Sequence, residues 1–297
     1  MSKIYNSNLG SKNILLVGGN SLIGSRLLNY LTDHSYFVRP TSSKIDDNFI
    51  YLDLKNPHNF NYDIVNENTT VLLLASVSSP DQCAANLKLS REINVHGTSL
   101  FIKNVILKNA KVIFFSSDAV YGEKKYSNYS VADIRPLGSY ASMKYEIENL
   151  FMHEPNFKSI RLSYVFSYDD KFTSYLRKCY INNEMASVYN SLSRNIIYIG
   201  DVLKGLVKLI DDWNIVSENI INFGGPELLS RVDLANILIT KVFNGLLINT
   251  IDPPSSFFNE RAKIINMNSI MLQTLLNRPL SSIGNIIDFE FQMHPGN

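Results

Sequence analysis

The stretch Asn13-Ile14-Leu15-Leu16-Val17, followed by Gly18-Gly19-Asn20-Ser21-Leu22-Ile23-Gly24, decides the fold of this chain. Its apolar run suits a strand that is buried on both faces, as in a parallel sheet. Apolar residues then recur at helical spacing through Leu31. In such a strand, glycine turn and helix, the backbone can approach a pyrophosphate whose charge meets the helix N-terminus. Because Ser21 stands at the middle glycine position, a turn and helix cap without any ligand is the alternative.

Further short apolar runs follow at intervals, and stretches with helical spacing separate them. They occupy residues 36–39, 49–54, 71–76, 111–117 and 159–166, and residues 87–107 between two of them are predicted to form one helix. Alternation of this kind predicts an α/β fold with a Rossmann-type doubly wound parallel sheet. Ligands of such sheets bind at the carboxyl ends of the strands, so we expect the functional side chains there.

The end of the second predicted strand carries Arg39, with the hydroxyls of Ser42 and Ser43 and the ammonium of Lys44 close behind. In a dinucleotide-binding fold, an acidic residue at this place pairs with the ribose 2′-hydroxyl, whereas an arginine accommodates a 2′-phosphate. Arg39 therefore favours NADPH, with NADH as the other option. A solvated basic loop is the alternative, and a strand that ends two residues later would leave Asp46 or Asp47 nearer to the ribose.

Tyr140 and Lys144 lie one turn apart in Ser139-Tyr140-Ala141-Ser142-Met143-Lys144, which is predicted to open a helix. A free phenol has a pKa of about 10, and a nearby ammonium favours the phenolate. The pair is a candidate acid/base device. Tyr-x-x-x-Lys also arises by chance on amphipathic helices, but Ser117 and Asp118 end a predicted strand just upstream and would converge on the same place.

Composition and charge exclude several classes of protein. The 297 residues carry 28 Lys and Arg against 27 Asp and Glu, so the net charge of +1 gives no general attraction for nucleic acid or anionic lipid. Cys83 and Cys179 do not form a disulfide framework, and no cysteine or histidine spacing indicates a metal site. Residues 1–11 lack an apolar signal core, and no apolar run reaches the roughly 18 residues of a membrane span. We expect a cytoplasmic protein.

The chain resembles an extended short-chain dehydrogenase/reductase that acts on sugar nucleotides, similar to the 4-keto sugar-nucleotide reductases. The matching stretches are Leu16–Ser25, Phe115-Ser116-Ser117-Asp118-Ala119-Val120-Tyr121-Gly122, Tyr140-x-x-x-Lys144, Arg194-Asn195-Ile196-Ile197-Tyr198-Ile199-Gly200-Asp201-Val202 and Ile221-Asn222-Phe223-Gly224-Gly225-Pro226-Glu227. They cover most of the chain in the family's order. Ser21, which replaces the middle glycine, is the clearest departure.

The resemblance implies roles for individual residues. Ser117, Tyr140 and Lys144 take the catalytic positions, Asn94 the helix asparagine, and Asp53 the position that contacts adenine. Tyr140 and Lys144 also contact the cofactor, and its other expected contacts are Gly18, Asn20, Ser21, Leu22, Ile23, Gly24, Arg39, Asp53, Leu54 and Ala75. The substrate, a nucleoside-diphosphate sugar, is expected to contact Ser76, Ser117, Asp118, Arg194 and Arg261. A homodimer is compatible with the resemblance.

The second half of the chain is expected to divide between the sheet and a substrate-binding lobe. Residues 12–166 would form the dinucleotide-binding domain, to which residues 194–224 return, and residues 167–193 and 225–297 would form the lobe. Arg177 and Lys178 suit a substrate-facing segment. Asp201 is predicted to cap a helix that ends near Trp213, and Ser230-Arg231-Val232-Asp233 resembles a capping box.

Three reactions share this machinery in the family: 4,6-dehydration, C4-epimerisation and 4-keto reduction. Dehydratases carry an acidic pair after the active-site hydroxyl, but here the pair reads Asp118-Ala119, and alanine cannot accept a proton. Arg39 and Lys44 favour an exchanging NADPH over a resident NAD. The expectation is reduction of a 4-keto-6-deoxy nucleoside-diphosphate sugar, as in the biosynthesis of surface polysaccharides such as O-antigen. An NAD-dependent C4-epimerase is the first alternative, and a non-catalytic NAD(P) sensor is the second.

Overall fold

A computed structural model describes residues 12–123 and 131–293 of the chain. The expectation for residues 1–11 concerns a segment outside these ranges. No helix in the described part is long and apolar enough to cross a membrane.

Fourteen strands are formed by the described residues. They are β1 Asn13–Val17, β2 Phe37–Ser42, β3 Ile50–Tyr51, β4 Thr69–Leu73, β5 Lys111–Ser117, β6 Phe157–Leu162, β7 Val165–Phe166, β8 Ala186–Tyr189, β9 Ser193–Asn195, β10 Ile197–Tyr198, β11 Ile220–Phe223, β12 Leu228–Ser230, β13 Ile248–Ile251 and β14 Ile264–Ile265. Seven of them form one parallel sheet in the order β11-β6-β5-β4-β1-β2-β3. The predicted Rossmann-type sheet is therefore confirmed.

Ten α-helices accompany the strands in the described ranges. They are α1 Leu22–Asp33, α2 Pro80–Ala85, α3 Leu87–Arg91, α4 Thr98–Leu107, α5 Ser139–Phe151, α6 Lys171–Ile181, α7 Ile199–Asp211, α8 Arg231–Lys241, α9 Ile270–Leu276 and α10 Ile283–Gln292. Short 3-10 turns occupy Pro57–Asn59, Tyr62–Ile64, Asp118–Tyr121 and Ser255–Asn259.

The side chains of alternate residues of β1 pack against helices on opposite faces of the sheet. Ile14 and Leu16 pack with the layer of α1, α7 and α9, whereas Leu15 and Val17 pack with the layer of α4 and α5. All four side chains are at most 1% exposed. Between β1 and β4 the strand order reverses direction, and this switch point opens a cleft at the carboxyl ends of the strands.

The C-terminal lobe has a separate apolar core. In it, α6, α8 and α10 pack together through residues such as Leu176, Leu238 and Ile287. Strand β9 pairs antiparallel with β12 and parallel with β14, beside the cleft. The predicted capping box is confirmed, because the Ser230 hydroxyl accepts from the Asp233 N–H while the Asp233 carboxylate accepts from the Ser230 N–H.

Three predictions for this half are wrong in detail. Residues 194–199 do not rejoin the main sheet, since β9 belongs to the lobe sheet and β10 pairs with β7. The predicted sixth strand is broken into β6 and β7. Asp201 does not cap α7, which begins at Ile199; its buried carboxylate instead binds Arg278 and accepts from the Ser281 N–H at 2.8 Å. The boundaries proposed for the two domains stay a prediction.

Candidate active site

A cleft of about 790 Å³ runs along the carboxyl ends of the strands, from the turn before α1 to the lobe. Ser21, Ser117, Tyr140, Lys144 and Arg194 all line it. The topology thus brings together the glycine turn, the proposed catalytic residues and both proposed substrate arginines, since Arg261 lines the cleft as well. Among the described residues, no group of His, Cys, Asp and Glu side chains is arranged to hold a metal ion.

The turn between β1 and α1 requires its glycines. Gly18 has φ +91°, and a Cβ on Gly24 would lie 2.2 Å from the Gly18 carbonyl oxygen. Ser21 caps α1, because its hydroxyl accepts from the Gly24 N–H at 3.1 Å and donates to the Gly18 carbonyl at 2.8 Å. The N–H groups of Leu22 and Ile23, in the first helical turn, have no intrahelical acceptor and suit an anionic ligand.

Arg39 does not lie at the end of β2, so this prediction is wrong in its premise. The strand continues to Ser42, and Arg39 pairs in register with Leu15, in the middle of β1. Its guanidinium donates to the Ile64 carbonyl at 2.6 Å, away from the residues that line the cleft. Pairing across the sheet, and not the local pattern, sets where the strand ends.

The end of β2 is held against the glycine turn. The Gly19 N–H donates to the Thr41 carbonyl at 3.1 Å, and the Asn20 amide donates to the Ser42 hydroxyl at 3.3 Å. Ser43 and Lys44 follow and are exposed. Asp46, which was the alternative ribose contact, accepts from the Asn48 N–H in an exposed turn.

The remaining residues discussed as ligand contacts differ in whether they lie at the cleft or in the core. Asp53 is partly exposed and accepts from the Lys55 N–H at 2.8 Å. Leu54 is 5% exposed and belongs to the apolar core, so its side chain does not face a cofactor. Ala75 packs beside Gly18, and Ser76 lines the cleft.

Tyr140, Lys144 and Ser117 form one cluster. Helix α5 places Tyr140 and Lys144 one turn apart, and Ser117, at the end of β5, lines the same cleft. The Lys144 ammonium donates to the Phe115 carbonyl at 2.8 Å and lies 4.7 Å from the centre of the Phe114 ring. Both contacts hold the Lys144 ammonium in place next to the Tyr140 ring.

The protonation of this cluster differs from the prediction that Lys144 lowers the pKa of Tyr140. Burial raises the pKa of the Tyr140 phenol, and the Asp118 carboxylate raises it further, while the hydrogen bond from Ser117 acts in the opposite direction. Burial lowers the pKa of Lys144 to about 8, although Cys83 and Glu148 oppose this shift. Desolvation outweighs the attraction between ammonium and phenolate, so the tyrosine is a protonated phenol at neutral pH.

Asp118 organises the polar groups between the sheet and the lobe. It is buried, accepts from the Ser117 hydroxyl at 3.2 Å and the Ser163 hydroxyl at 2.8 Å, and lies 3.5 Å from the Arg194 Nε. Arg194 also donates to the carbonyls of Ala262 and Lys263. The sequence did not single out Ser163, whose position follows from where β6 ends.

Arg261 and its neighbour Glu260 connect the lobe with the helices at the cleft. The Arg261 guanidinium binds both oxygens of Asp81 on α2, at 2.7 and 2.5 Å. Glu260 accepts from the Ser139 N–H at 2.7 Å and so caps the helix that carries Tyr140. The sequence predicted neither partner, because 180 residues separate Asp81 from Arg261 and 121 separate Ser139 from Glu260.

Asn94 lies on a π-helical segment, Glu92–Gly97, that interrupts the single helix predicted for residues 87–107. Its side chain is buried and forms hydrogen bonds in both directions with the Val77 backbone, at 2.8 and 2.9 Å. The asparagine thereby holds the loop that follows β4 at the cleft. Periodicity alone gave no signal for the π turn.

The segment that was expected to face the substrate only partly does so. Arg177 stacks over the Tyr168 ring at 4.0 Å, and neither it nor Lys178 lines the cleft. Asp170 and Lys171, at the start of α6, do line it. Arg231 lines it as well, although the sequence pattern predicts for it only a place in the capping box.

Residues 14–224 match the model of the NAD dependent epimerase/dehydratase family. The chain belongs to this family. The family resemblance inferred from the sequence motifs is thus confirmed.

Solved structures similar to this family member include enzymes with different reactions. One is a dTDP-4-dehydrorhamnose reductase from Clostridium acetobutylicum, with 16% identity, a TM-score of 0.80, and coverage of 95% of this chain and 99% of the other. Another is the UDP-glucuronic acid 4-epimerase of Bacillus cereus with UDP-glucuronic acid and NAD, with 20% identity, a TM-score of 0.74, and coverage of 94% and 98%. A third is the UDP-N-acetylglucosamine 4-epimerase of Methanobrevibacter ruminantium, with 19% identity, a TM-score of 0.77, and coverage of 95% and 96%. At these identities the likeness establishes the fold.

Proposed function

We propose that the protein uses NADPH to reduce the 4-keto group of a 4-keto-6-deoxy sugar on a nucleoside diphosphate. The observation that carries this proposal is the cluster of Tyr140, Lys144 and Ser117 in the cleft, with Tyr140 and Lys144 one turn apart on α5. A carbonyl reduction needs a proton donor at the developing alkoxide, whereas oxidation of a sugar hydroxyl needs a base. A phenol, which carries its proton at neutral pH, can perform the first task.

The residues at the glycine turn fit a dinucleotide. Gly18 and Gly24 leave room for close backbone approach, and the N-terminus of α1 offers free N–H groups toward a pyrophosphate. The family's cofactor, when bound there, supplies the hydride. Lys144 would hold the nicotinamide ribose, and Asp53 the adenine.

The proton transfer would be carried out by this chain's own residues. Tyr140 would donate its phenolic proton to the carbonyl oxygen, and the Ser117 hydroxyl would orient the same oxygen by a hydrogen bond. Lys144 carries a proton at neutral pH, since its pKa of about 8 lies above 7. Its charge would stabilise the phenolate left after the transfer, which makes the step electrostatically easier.

Dehydration is disfavoured because none of the carboxylates that line the cleft is available as the base that this reaction needs. Among the described residues that line it, Asp118, Asp170 and Glu260 are the acids, and each has a structural partner. Asp118 binds two hydroxyls, Asp170 caps α6, and Glu260 caps α5. Ala119, beside Asp118, offers no further base.

The residues at the end of β2 favour NADPH over NADH. Arg39 has no part in this preference, because it lies in the middle of the strand. No acidic residue follows Thr41 before Lys44, so nothing repels a 2′-phosphate, and the hydroxyl of Ser43 and the ammonium of Lys44 are exposed there. In this fold an acidic residue at the same place selects the free ribose hydroxyl of NAD. NADH would then be the weaker cofactor.

An NAD-dependent C4-epimerase is the second candidate, because 4-epimerases are among the similar structures. It would need Tyr140 to act first as a base and then as an acid on the same carbon of the sugar. The sensor alternative is weakened by the assembled cluster of Ser117, Tyr140 and Lys144.

Absorbance of NADPH, followed with 4-keto-6-deoxy sugars carried on dTDP, UDP, GDP and CDP, tests the proposal. We expect steady consumption with at least one keto sugar and none with the matching 4-hydroxy sugars. Clear NADPH binding without turnover on any keto sugar would favour the sensor. Interconversion of 4-hydroxy sugars without net consumption would favour the epimerase.

A further inference from the structure

Three arginines line the cleft, and they differ in how their charge is satisfied. Arg194 lies beside Asp118, and Arg261 binds Asp81. No carboxylate in the described part of the chain forms an ion pair with Arg231. Its Nη1 atom is shielded from solvent and has no hydrogen-bond acceptor among the described residues.

The position of Arg231 is nevertheless well defined. It is the first residue of α8, where the capping box of Ser230 and Asp233 fixes the helix start, and its N–H donates to the Leu192 carbonyl. The guanidinium lies over the Tyr164 ring, 3.6 Å from its centre, and 5.0 Å from the centre of the Phe172 ring. Stacking on two rings restrains the side chain and leaves its Nη1 atom without an acceptor.

A buried cationic donor without an acceptor is costly, and an anionic oxygen relieves the cost. Lys171 adds a second positive charge on the same wall of the cleft. The nearby Asp170 carboxylate is occupied by the Tyr164 hydroxyl and by the first N–H groups of α6. This wall of the cleft thus carries a hydrogen-bond donor, Arg231 Nη1, for which no described protein group is the acceptor.

We propose that Arg231 is a substrate-binding residue whose guanidinium, which lines the cleft, takes an anionic oxygen of the nucleotide sugar. This inference rests on the proposed function and adds a third arginine to the two expected from the family motifs. The diphosphate, which every nucleotide sugar has, is the source that the proposed function supplies, whereas a carboxylate at C6 of the sugar would belong to a substrate other than a 6-deoxy sugar. Arginine presents a planar fork that suits either group.

Calorimetric titration of the whole protein with UDP, dTDP, GDP and CDP tests the proposal, with Arg231→Met as the variant. A lost charge-assisted hydrogen bond corresponds to a loss of affinity of about tenfold to a hundredfold. We expect this loss for the diphosphate that binds the wild type best, with the NADPH dissociation constant unchanged. A loss for UDP-glucuronic acid without a loss for UDP would assign the contact to a sugar carboxylate instead.

Arg177→Met is the matched control. Arg177 also stacks on a tyrosine of the lobe, but it donates to the Tyr168 carbonyl and lies outside the cleft. Its replacement should leave ligand affinity within twofold. Arg231→Lys, which keeps the charge but not the fork, should weaken binding about three- to tenfold and serves if the methionine variant does not fold.

Wild-type affinity in both Arg231 variants, for diphosphates and for UDP-glucuronic acid alike, would overturn this inference and leave the proposed function intact. A wild-type protein that binds none of these nucleotides would overturn both. In a working reductase, KM for the nucleotide sugar should rise in Arg231→Lys while kcat stays within about threefold, which a purely structural role would not produce.

Discussion

The glycine turn and the arginine-bearing lobe satisfy their polar groups in different ways. At the turn, Ser21 and its neighbours bond to one another and to the adjacent end of β2, within a few residues or one strand. In the lobe, Arg261 reaches across the cleft to Asp81. The bonds that shape the first region are local. For Arg261 in the second region to bind a ligand, it would have to give up Asp81, so its affinity would depend on the ion pair that it loses.

The largest expected effect lies where the two regions meet. Tyr140→Phe removes the proposed proton donor, and general acid catalysis of this kind contributes about 10²- to 10⁴-fold. We expect kcat with the keto sugar to fall by that amount and NADPH affinity to stay within about threefold. Tyr145→Phe, on the same helix but outside the cleft, is the control. Full activity of Tyr140→Phe would remove the tyrosine from the mechanism.

Two glutamates of α5 form ion pairs, one on the buried face of the helix and one on its exposed face. Arg161 and Glu148 lie 2.7 Å apart and are 2% and 1% exposed, whereas Arg91 and Glu146 lie 3.0 Å apart and are both 38% exposed. Arg161→Met leaves a buried carboxylate uncompensated and should lower the free energy of unfolding by about 3–5 kcal/mol. Arg91→Met should lower it by about 1 kcal/mol or less. Urea titrations of both variants measure this, and equal losses would contradict the buried role of Arg161.

The next prediction concerns cofactor choice at the glycine turn and the adjacent end of β2. Lys44→Ala should reduce the preference for NADPH over NADH by about three- to tenfold, since an exposed ammonium near the 2′-phosphate is lost. Arg39→Ala should leave the ratio within twofold, because Arg39 binds the Ile64 carbonyl. Dissociation constants of both cofactors with the two variants decide the matter. The opposite ranking would return the 2′-phosphate to Arg39.

The smallest expected effect concerns the lobe, and it is a gain of ligand affinity and not a loss. Asp81→Asn removes the charge that competes for Arg261, so nucleoside-diphosphate affinity should rise about two- to fivefold, the worth of an exposed ion pair. Asp63→Asn breaks another exposed pair, with Lys108, away from the cleft and should change nothing. Titration calorimetry reports both. Weaker binding in Asp81→Asn would mean that Asp81 positions Arg261 for the ligand.

The sequence predicted what depends on local pattern. The run from Ile14 to Val17 gave its strand, the glycines gave the turn, and the capping box gave the start of α8. Motif order then identified the family, and the Tyr140 and Lys144 spacing placed both residues on one helix face.

The failures concern properties that depend on distant residues. The place where β2 ends follows from its pairing with β1, so Arg39 was misplaced. The raised pKa of Tyr140 follows from burial, which periodicity does not report. Asp81, Glu260 and Arg231 acquire their roles from elements that meet only in the folded chain, and their local sequence carries no such signal.

The central claim is that Tyr140 and the bound cofactor together reduce a sugar carbonyl, and one labelling experiment tests it most directly. The wild-type protein is incubated with a 4-keto-6-deoxy nucleotide sugar and NADPH that carries deuterium at its transferable position, and the product is examined by NMR. Our account predicts one deuterium at C4 for each NADPH oxidised. Product without deuterium, or a 4-hydroxy sugar inverted at C4 with no NADPH oxidised, would contradict it.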